Sequence, residues 1–411
     1  MNLPGALARL RKSLLPVPML FSVVAIVLAV ITSALDRSFR FETGLFPGGA
    51  ESARSLLSAI ASASLTLTAV VFSITMLVLQ LTSAQYSPRV LYRFLGDRVS
   101  QIALGVFAST FSFSLAALRG VAPDSVPVTS VAIAFLLALV TIAVFVVYVN
   151  HIAQQIQVSS IIWSIEKEAA KACDRVYSRG NDHGDQDGWP GTDAVLELPT
   201  PRRGVVTAAN VAGVVDAARK LDVAVELVPL VGEWVPDGAP LLRIYGTDDV
   251  EDPHTLTRHV SLADERDMSQ DPAYGLRQLV DIAERALSPG TNDPTTAVQA
   301  VNALHNLLVR VAGEEDPPGI TCDETGQPRL RRHHRSFSDL LDLSVDETLL
   351  YGRHSLQVTA GLEKMVADLL RVVHGRRAEL VAAKLERVRA ERQKLLTGDA
   401  SFAGAASRRS R

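Results

Sequence analysis

The sequence predicts a membrane α-helical bundle of four spans followed by a cytosolic α+β domain, which contains a small β module and a helical C-terminal part. Two observations support this fold class. Four long apolar segments lie before residue 153 of the 411-residue chain, and no comparable segment follows them. Beyond residue 193 the pattern changes to short apolar runs with Pro and Gly turns, and then to amphipathic helical periodicity.

The four apolar segments cover residues 17–35, 56–81, 99–118 and 126–152. A helix needs about 20 predominantly apolar residues to cross the hydrocarbon core of a bilayer, and each segment meets that length within a residue or two. None contains Arg or Lys in its interior, as expected where burying a charge in lipid is costly. We therefore expect a transmembrane domain over residues 1–152 that is embedded in the lipid bilayer.

Basic residues between the apolar segments predict the orientation. They cluster in two places, before the first segment (Arg9, Arg11, Lys12) and after the second (Arg89, Arg93, Arg98). Since Lys and Arg accumulate on the cytoplasmic side, we expect both termini in the cytoplasm. We interpret the first segment as a retained anchor, because its apolar core exceeds the roughly 7–15 residues of a signal peptide.

The second apolar segment carries polar residues on two faces. On a helical wheel one stripe contains Ser58, Ser62, Thr66, Ser73 and Gln80, and the opposite stripe contains Ser64, Thr68, Thr75 and Thr82. Two polar faces predict two neighbours other than lipid. The general interpretation is that both stripes are helix-packing interfaces. The alternatives are that the first stripe lines the pore of a homo-oligomer or forms a groove for a hydrophobic ligand.

Four further regions follow the transmembrane domain. Residues 153–193 are predicted as a stalk helix and a polar linker, because no Pro or Gly interrupts residues 151–179 and Gly recurs over 180–193. The stalk is expected to continue the fourth span as one rod. Residues 194–250 suit a small β-rich module, residues 251–396 a helical cytosolic domain, and residues 397–411 a disordered tail.

The most distinctive segment, residues 271–297, reads DPAYGLRQLVDIAERALSPGTNDPTTA. Asp271 and Asp293 each precede a proline, which predicts an N-capping acid at the start of a helix. We therefore expect two helices, about Pro272–Leu287 and Pro294–Val311, separated by a tight turn. Charges on the first helix are typical of a solvated face. The candidate site residues in this segment are Asp271, Arg277, Asp281, Ser288, Asn292 and Asp293.

This segment and the upstream LTLTAVVFSITMLVLQLTSAQYSPRVL resemble an uncharacterised family of predicted bacterial integral membrane proteins, a domain of unknown function. The resemblance covers nearly the whole chain. It implies four N-terminal spans and a cytosolic C-terminal domain, and it implies no established reaction. It also directs attention to Ser87, Pro88 and Arg89 beside the residues of the 271–293 segment.

Residues 314–336 are predicted as a loop rich in Pro and charged residues. Its basic cluster contains Arg329, Arg331, Arg332, His333, His334 and Arg335. One interpretation is a solvated loop. The other is contact with an anionic lipid or with the phosphates of a small ligand. We expect no nucleic-acid partner.

No catalytic or cofactor motif competes with the membrane interpretation. The phosphate-binding loop, the dinucleotide-binding glycine pattern, the HExxH metal motif and the GxSxG nucleophile motif are absent from the sequence, so we predict no catalytic residue, cofactor or metal site. The polar stripe and the rod favour a homo-oligomeric ion channel or permeation pathway with a cytosolic regulatory domain. The alternative is a membrane-anchored sensor or scaffold without a pore, with a ligand or protein bound near residues 271–293.

Overall fold

The computed structural model describes residues 16–39, 48–85, 97–122, 126–155, 157–177, 189–190, 193–247, 250 and 252–397. The chain divides into two compact units, Met1–Ser160 and Ile161–Arg411. Several predictions concern residues outside these ranges, namely the basic arm before residue 16, Ser87 to Arg93, the Gly-rich linker and the tail from Gly398. Orientation, linker and tail therefore stay predictions.

The N-terminal unit contains the four predicted apolar helices: α1 Pro16–Phe39, α2 Ala50–Gln85, α3 Arg98–Leu118 and α4 Val128–Gln155. All four are long and apolar enough to cross a membrane, which confirms the four predicted segments. Helix α3 is central, because it makes the most extensive contacts with the other three helices. Half of its span is buried (50%), against 22–28% for the other spans.

Small and hydroxylated residues hold this unit together. A side chain at Gly105 of α3 would come within 3.1 Å of the Phe21 ring, so the glycine allows α1 and α3 to approach closely. The Thr110 and Thr141 hydroxyls lie 2.9 Å apart and join α3 to α4. Helices in lipid gain little from hydrophobic burial against one another, so close packing and interhelical hydrogen bonds of this kind carry their association.

Helix α4 ends at Gln155 and the next helix, α5 Val158–Tyr177, begins three residues later. The structure therefore has two helices where the sequence predicted one continuous rod, and Ile156 between them lies outside the described residues. Helix α5 is amphipathic, and its buried face includes Ile165, Ala169 and Tyr177. Ala169 lies where any side chain at Gly275 would collide with it, so this face packs closely against the helix that contains Gly275.

The C-terminal unit contains two sheets. The five-stranded sheet has the order β1-β5-β3-β8-β7, with β1 Leu196–Pro199, β3 Ala224–Leu227, β5 Pro240–Tyr245, β7 Ile320–Cys322 and β8 Pro328–Arg332. The three-stranded sheet has the order β4-β2-β6, with β2 Gly204–Ala209, β4 Trp234–Val235 and β6 Val260–Ala263. All pairs are antiparallel except β3 with β8. Apolar residues of both sheets and of helix α6, Val211–Lys220, share one core.

The loop predicted for residues 314–336 is wrong over residues 320–332, which form the β7–β8 hairpin. Strand β8 adds in parallel to β3, with Val225 opposite Leu330. The sequence obscured this strand because Arg residues surround its one fully buried apolar side chain, Leu330. Arg329 is buried as well, and its charge is matched by Asp323 at 2.8 Å and Asp222 at 3.1 Å.

The remaining helices are α7 His254–Thr257, α8 Pro272–Ala286, α9 Pro294–Ala312, α10 Phe337–Gly352, α11 Leu356–Leu369 and α12 Gly375–Leu396. Helices α8 and α9 confirm the two helices predicted from the Asp-Pro pairs. Helix α8 packs against α9 and α10, α9 packs against α11, and α11 packs against α12. Leu276, Leu279, Leu304, Leu308 and Leu362 of these helices are fully buried.

Candidate functional site

The two polar stripes of helix α2 lie in different surroundings. All five residues of the first stripe, Ser58, Ser62, Thr66, Ser73 and Gln80, are exposed on the surface of the N-terminal unit. Ser64 and Thr75 of the second stripe are buried, and Thr68 is half-buried. The Thr75 hydroxyl lies 2.9 Å from the Tyr148 hydroxyl of α4. The second stripe is therefore an internal packing face, whereas the first stripe lies on the surface and does not pack against the other helices of the unit.

Helix α2 itself provides hydrogen-bond partners for only part of the exposed stripe. The Thr66 hydroxyl donates to the Ser62 carbonyl at 2.9 Å, one turn earlier. Large apolar side chains flank the stripe, and Leu65, Phe72 and Leu77 are each more than half exposed (53%, 53% and 55%). The surface of α2 thus presents a narrow polar band between apolar margins.

Asp271 is the N-cap residue of α8, as the sequence predicted, but its side chain makes no capping hydrogen bond. The carboxylate instead accepts hydrogen bonds from Nε of Arg266, at 2.9 Å, and from a terminal nitrogen of the same guanidinium. Arg266 also lies over the Tyr274 ring, 5.0 Å from its centroid. Burial raises the pKa of Asp271, while Arg266 opposes that shift. Asp271 therefore ties the chain before α8 to the helix.

Asp293 is the cap that the sequence predicted. Its carboxylate accepts from the amides of Thr295 and Thr296, both at 3.1 Å, and from the Thr296 hydroxyl at 2.6 Å. These hydrogen bonds, with the Thr296 hydroxyl first, lower the pKa of Asp293. Asn292 has a φ of 45°, in the left-handed region, and its amide donates to the Ser288 carbonyl at 2.9 Å. Ser288, Asn292 and Asp293 together build the turn between α8 and α9.

Arg277 and Asp281 belong to a charged cluster between α8 and α10. The Arg277 guanidinium donates to both carboxylate oxygens of Glu347, one at 2.7 Å, and lies 3.9 Å from Asp281. Burial, followed by the neighbouring Glu347 carboxylate, raises the pKa of Glu284, one turn further along, to about 7. Within the described ranges, no group of three or more His, Cys, Asp or Glu residues is placed to hold a metal ion.

The candidate residues of the 271–297 segment do not converge on one site. Helix α8 has 15 residues, so Asp271 and Asp293 at its two ends lie on the order of 22 Å apart at 1.5 Å per residue. Each of these acids has a local structural partner. The unusual composition of residues 271–297 is therefore explained by structural roles: two helix starts, the turn between the helices and the Asp271–Arg266 ion pair.

The basic cluster of residues 329–335 separates into different environments. Arg329 is buried in its ion pairs with Asp222 and Asp323. Arg331 stacks over the Trp189 ring at 4.1 Å, and His333 lies 3.2 Å from Glu226. Arg332 and His334 line a cavity of about 660 Å³.

This cavity lies between strands β2 and β6, helices α5 and α6, and the segment before β7. Five cationic or titratable nitrogen side chains line it: Arg175, Arg258, His259, Arg332 and His334. No Asp or Glu occurs among the described residues that line it. Apolar residues form much of the remaining wall, and the volume lies within the range of small-molecule sites. Sequence reasoning missed Arg175, Arg258 and His259, because nothing local connects these three positions.

Two further groups shape the chemistry of the cavity. Val211 and Ala212 line it, and they are the first residues of α6, whose N-terminus is capped by the Asn210 side chain through the Gly213 amide at 3.2 Å. First-turn amides carry the positive end of the helix dipole. Nε2 of His334 is buried without a hydrogen-bond partner among the described residues. Burial and then the neighbouring charge of Arg332 lower the pKa of His334 to about 4.

Comparison with known proteins assigns the family. Residues 11–368 match the profile of the family described as predicted membrane protein (DUF2254). Uncharacterised proteins of Mycobacterium bovis and Mycobacterium tuberculosis are each 30% identical to the chain over 337 residues, or 79% of its length. The chain spans 65% of the length of these relatives, and no solved structure matches it. Because the match covers most of the sequence and includes the four apolar helices, the chain belongs to the DUF2254 family of predicted membrane proteins.

Proposed function

We propose that the chain forms a homo-oligomeric permeation pathway for ions in the cytoplasmic membrane of a bacterium, with both termini and the C-terminal regulatory unit in the cytoplasm. One observation carries this proposal. One polar stripe of α2 lies entirely on the exposed surface of the N-terminal unit and consists of Ser58, Ser62, Thr66, Ser73 and Gln80. The opposite stripe packs inside the unit.

We expect the polar side chains of the exposed stripe to contact a partner other than lipid. Polar side chains in hydrocarbon are stabilised when they meet another helix or water, and small residues let neighbouring helices approach closely. Uncharged hydroxyls around a central axis can replace part of the hydration of an ion without imposing a strong charge preference. The apolar flanks at Leu65 and Phe72 suit the lipid or protein surface on either side of such an axis.

Ion flux into proteoliposomes tests the proposal directly. We expect flux from the wild-type chain and a large loss with Ser62→Leu, because the larger apolar side chain would narrow and dry the path. Ala63→Leu is the matched control, since Ala63 is also exposed but lies about 100° away around the helix. Absence of flux from the wild-type chain, or equal loss in both variants, would contradict the pathway.

Cross-linking tests the oligomer separately. Both natural cysteines, Cys173 and Cys322, lie in the C-terminal unit, so a Ser62→Cys variant adds one thiol to the membrane unit. Disulfide-linked dimers are expected for Ser62→Cys and not for Thr75→Cys, because Thr75 is buried within its own unit. If only monomers form in the Ser62→Cys variant, the stripe does not face a neighbouring copy.

A membrane-anchored sensor without a pore is the second candidate, and the basic cavity of the C-terminal unit favours it. In that case ligand binding would be present and ion flux absent. A scaffold that binds a partner near residues 271–293 is less well supported, because Asp271 and Asp293 already have structural partners. Loss of a partner on Asp293→Ala would therefore need a second variant to separate binding from loss of the helix cap.

A further inference from the structure

We propose that the cavity lined by Arg175, Arg258 and Arg332 binds a phosphate-bearing ligand of about nucleotide size. The cavity lies within the C-terminal unit, so binding is expected whether or not the membrane unit conducts ions. Failure of the flux experiment would leave this site unaffected, and failure of binding would leave the pathway unaffected.

The charge of the wall selects an anion. Three guanidinium groups border one cavity, and no Asp or Glu occurs among the described residues that line it. Arg258 has an outside partner in Asp252 at 3.7 Å, but both side chains are largely exposed, so water screens this pair. Arg175 is held by a hydrogen bond to the Ser269 carbonyl, which fixes its position. A ligand with two or more negative charges would be attracted to these cationic side chains.

The geometry of the donors favours phosphate over a single carboxylate. Guanidinium groups form paired hydrogen bonds with phosphate oxygens, and a phosphate presents oxygens in several directions to separate donors. The first turn of α6 adds backbone amides at Val211 and Ala212, in the arrangement that commonly receives phosphate at a helix N-terminus.

The rest of the cavity suits the body of such a ligand. Val176, Val211, Val231, Pro317 and Pro318 provide an apolar wall, which can pack against a planar or aliphatic group. A ligand with a phosphate end and a less polar end therefore matches both parts of the wall.

A fluorescent ATP analogue is the first probe, added to the full-length chain in phosphatidylcholine nanodiscs. We expect saturable binding that unlabelled ATP and pyrophosphate displace. Arg258→Ala should weaken binding about tenfold, the loss expected for one charge-assisted contact. Arg258→Lys should retain part of the affinity, because it keeps the charge without the paired donors. Arg371→Ala is the matched control, since this exposed arginine of the same unit lies outside the cavity.

A second set of nanodiscs distinguishes a soluble ligand from a lipid headgroup. If phosphatidylglycerol in the disc competes with the probe, and Arg258→Ala abolishes that competition, the headgroup supplies the phosphate. If only soluble phosphates compete, the ligand is a soluble molecule. Absence of binding by the probe and by phosphatidylglycerol would overturn the proposal. Equal weakening by Arg258→Ala and Arg371→Ala would also overturn it, because the attraction would then belong to the surface as a whole.

Discussion

The carboxylate of Asp271 and the guanidinium of Arg266 form a buried ion pair at the point where the chain enters helix α8. Only 2% of the Asp271 side chain and 23% of the Arg266 side chain are exposed. Gly232 lies against the same carboxylate from another part of the chain. Arg266, Asp271 and Gly232 together join the turn before β4 to the start of α8. Variants at these positions therefore test the structural role of the 271–297 segment.

Removal of Arg266 should destabilise the C-terminal unit strongly. Arg266→Ala leaves the Asp271 carboxylate buried without its cation, for which we expect a loss of about 3–5 kcal/mol in the free energy of unfolding. Denaturant unfolding followed by Trp fluorescence measures this, because Trp163, Trp189 and Trp234 all lie in the C-terminal unit. Arg371→Ala, which breaks an exposed pair, should cost no more than about 1 kcal/mol. Similar losses in both variants would show that the Asp271 pair adds little.

Two glycines with positive φ should respond differently to alanine. Gly232 (φ 91°) and Gly238 (φ 75°) both adopt the left-handed conformation, but a Cβ at Gly232 would lie 2.0 Å from Oδ2 of Asp271, whereas one at Gly238 has nothing within 4 Å. Gly238→Ala should cost about 1–2 kcal/mol from backbone strain alone. Gly232→Ala should cost a further 1–3 kcal/mol or so from the collision. Equal unfolding free energies for the two variants would contradict the close contact at Asp271.

The carboxylate cluster of α8 and α10 predicts a pH dependence of stability. The pKa of Glu284 is raised from 4.5 to about 7 in the folded chain, through burial and the nearby Glu347 and Asp281, with Arg277 opposing the shift. The folded state then holds more protons than the unfolded state between pH 4.5 and about pH 7, so the free energy of unfolding falls as pH rises through this window.

The variant Glu284→Gln isolates this effect. It removes the titrating group while keeping its size, so it should be more stable than wild type at pH 8 and show a flatter profile between pH 5 and 7. Chemical unfolding at several pH values measures both differences. Glu379→Gln is the control, because Glu379 lies in α12, outside the cluster. If the wild-type and Glu284→Gln profiles were parallel, the proton of Glu284 would not be linked to folding.

The hydrogen bond between Thr75 and Tyr148 should appear as a coupling energy in the membrane unit. A double-mutant cycle of Thr75→Val and Tyr148→Phe removes each hydroxyl in turn, and we expect about 0.6 kcal/mol of interaction, the average for such bonds in membranes. Unfolding of the chain in mixed micelles provides the free energies. The pair Ser62→Ala and Tyr148→Phe should show no coupling, because Ser62 is exposed on another side of α2.

Features that depend on short motifs or on helical periodicity could be predicted from the sequence. Helices α8 and α9 start at Pro272 and Pro294, as the Asp-Pro pairs indicated. The two stripes of α2 followed from helical periodicity. Which stripe is buried could not be predicted, because the answer depends on Tyr148 of α4 reaching Thr75, a contact 73 positions apart along the chain.

The features that the sequence did not reveal depend on distant partners. Asp271 had the pattern of a cap, but a nearby arginine and the close approach of Gly232 give its carboxylate another position. Arg329 looked like an exposed cation, but β8 pairs with β3 and the Arg329 guanidinium donates to the Val223 carbonyl, 106 positions away, in the interior. The cavity gathers its cations from helix α5, the segment around α7 and strand β8, and no short motif connects these three regions.

The parallel pairing of β3 with β8 has a practical consequence for dissecting this protein. A chain cut near residue 250 would lose the strand that covers one side of β3, and it would leave a row of unpaired amides and carbonyls on an otherwise apolar layer. An unpaired strand edge of this kind readily pairs with strands of other molecules and causes aggregation. Attempts to express the C-terminal unit in pieces should therefore keep residues 194–332 on a single polypeptide, since shorter fragments are expected to precipitate.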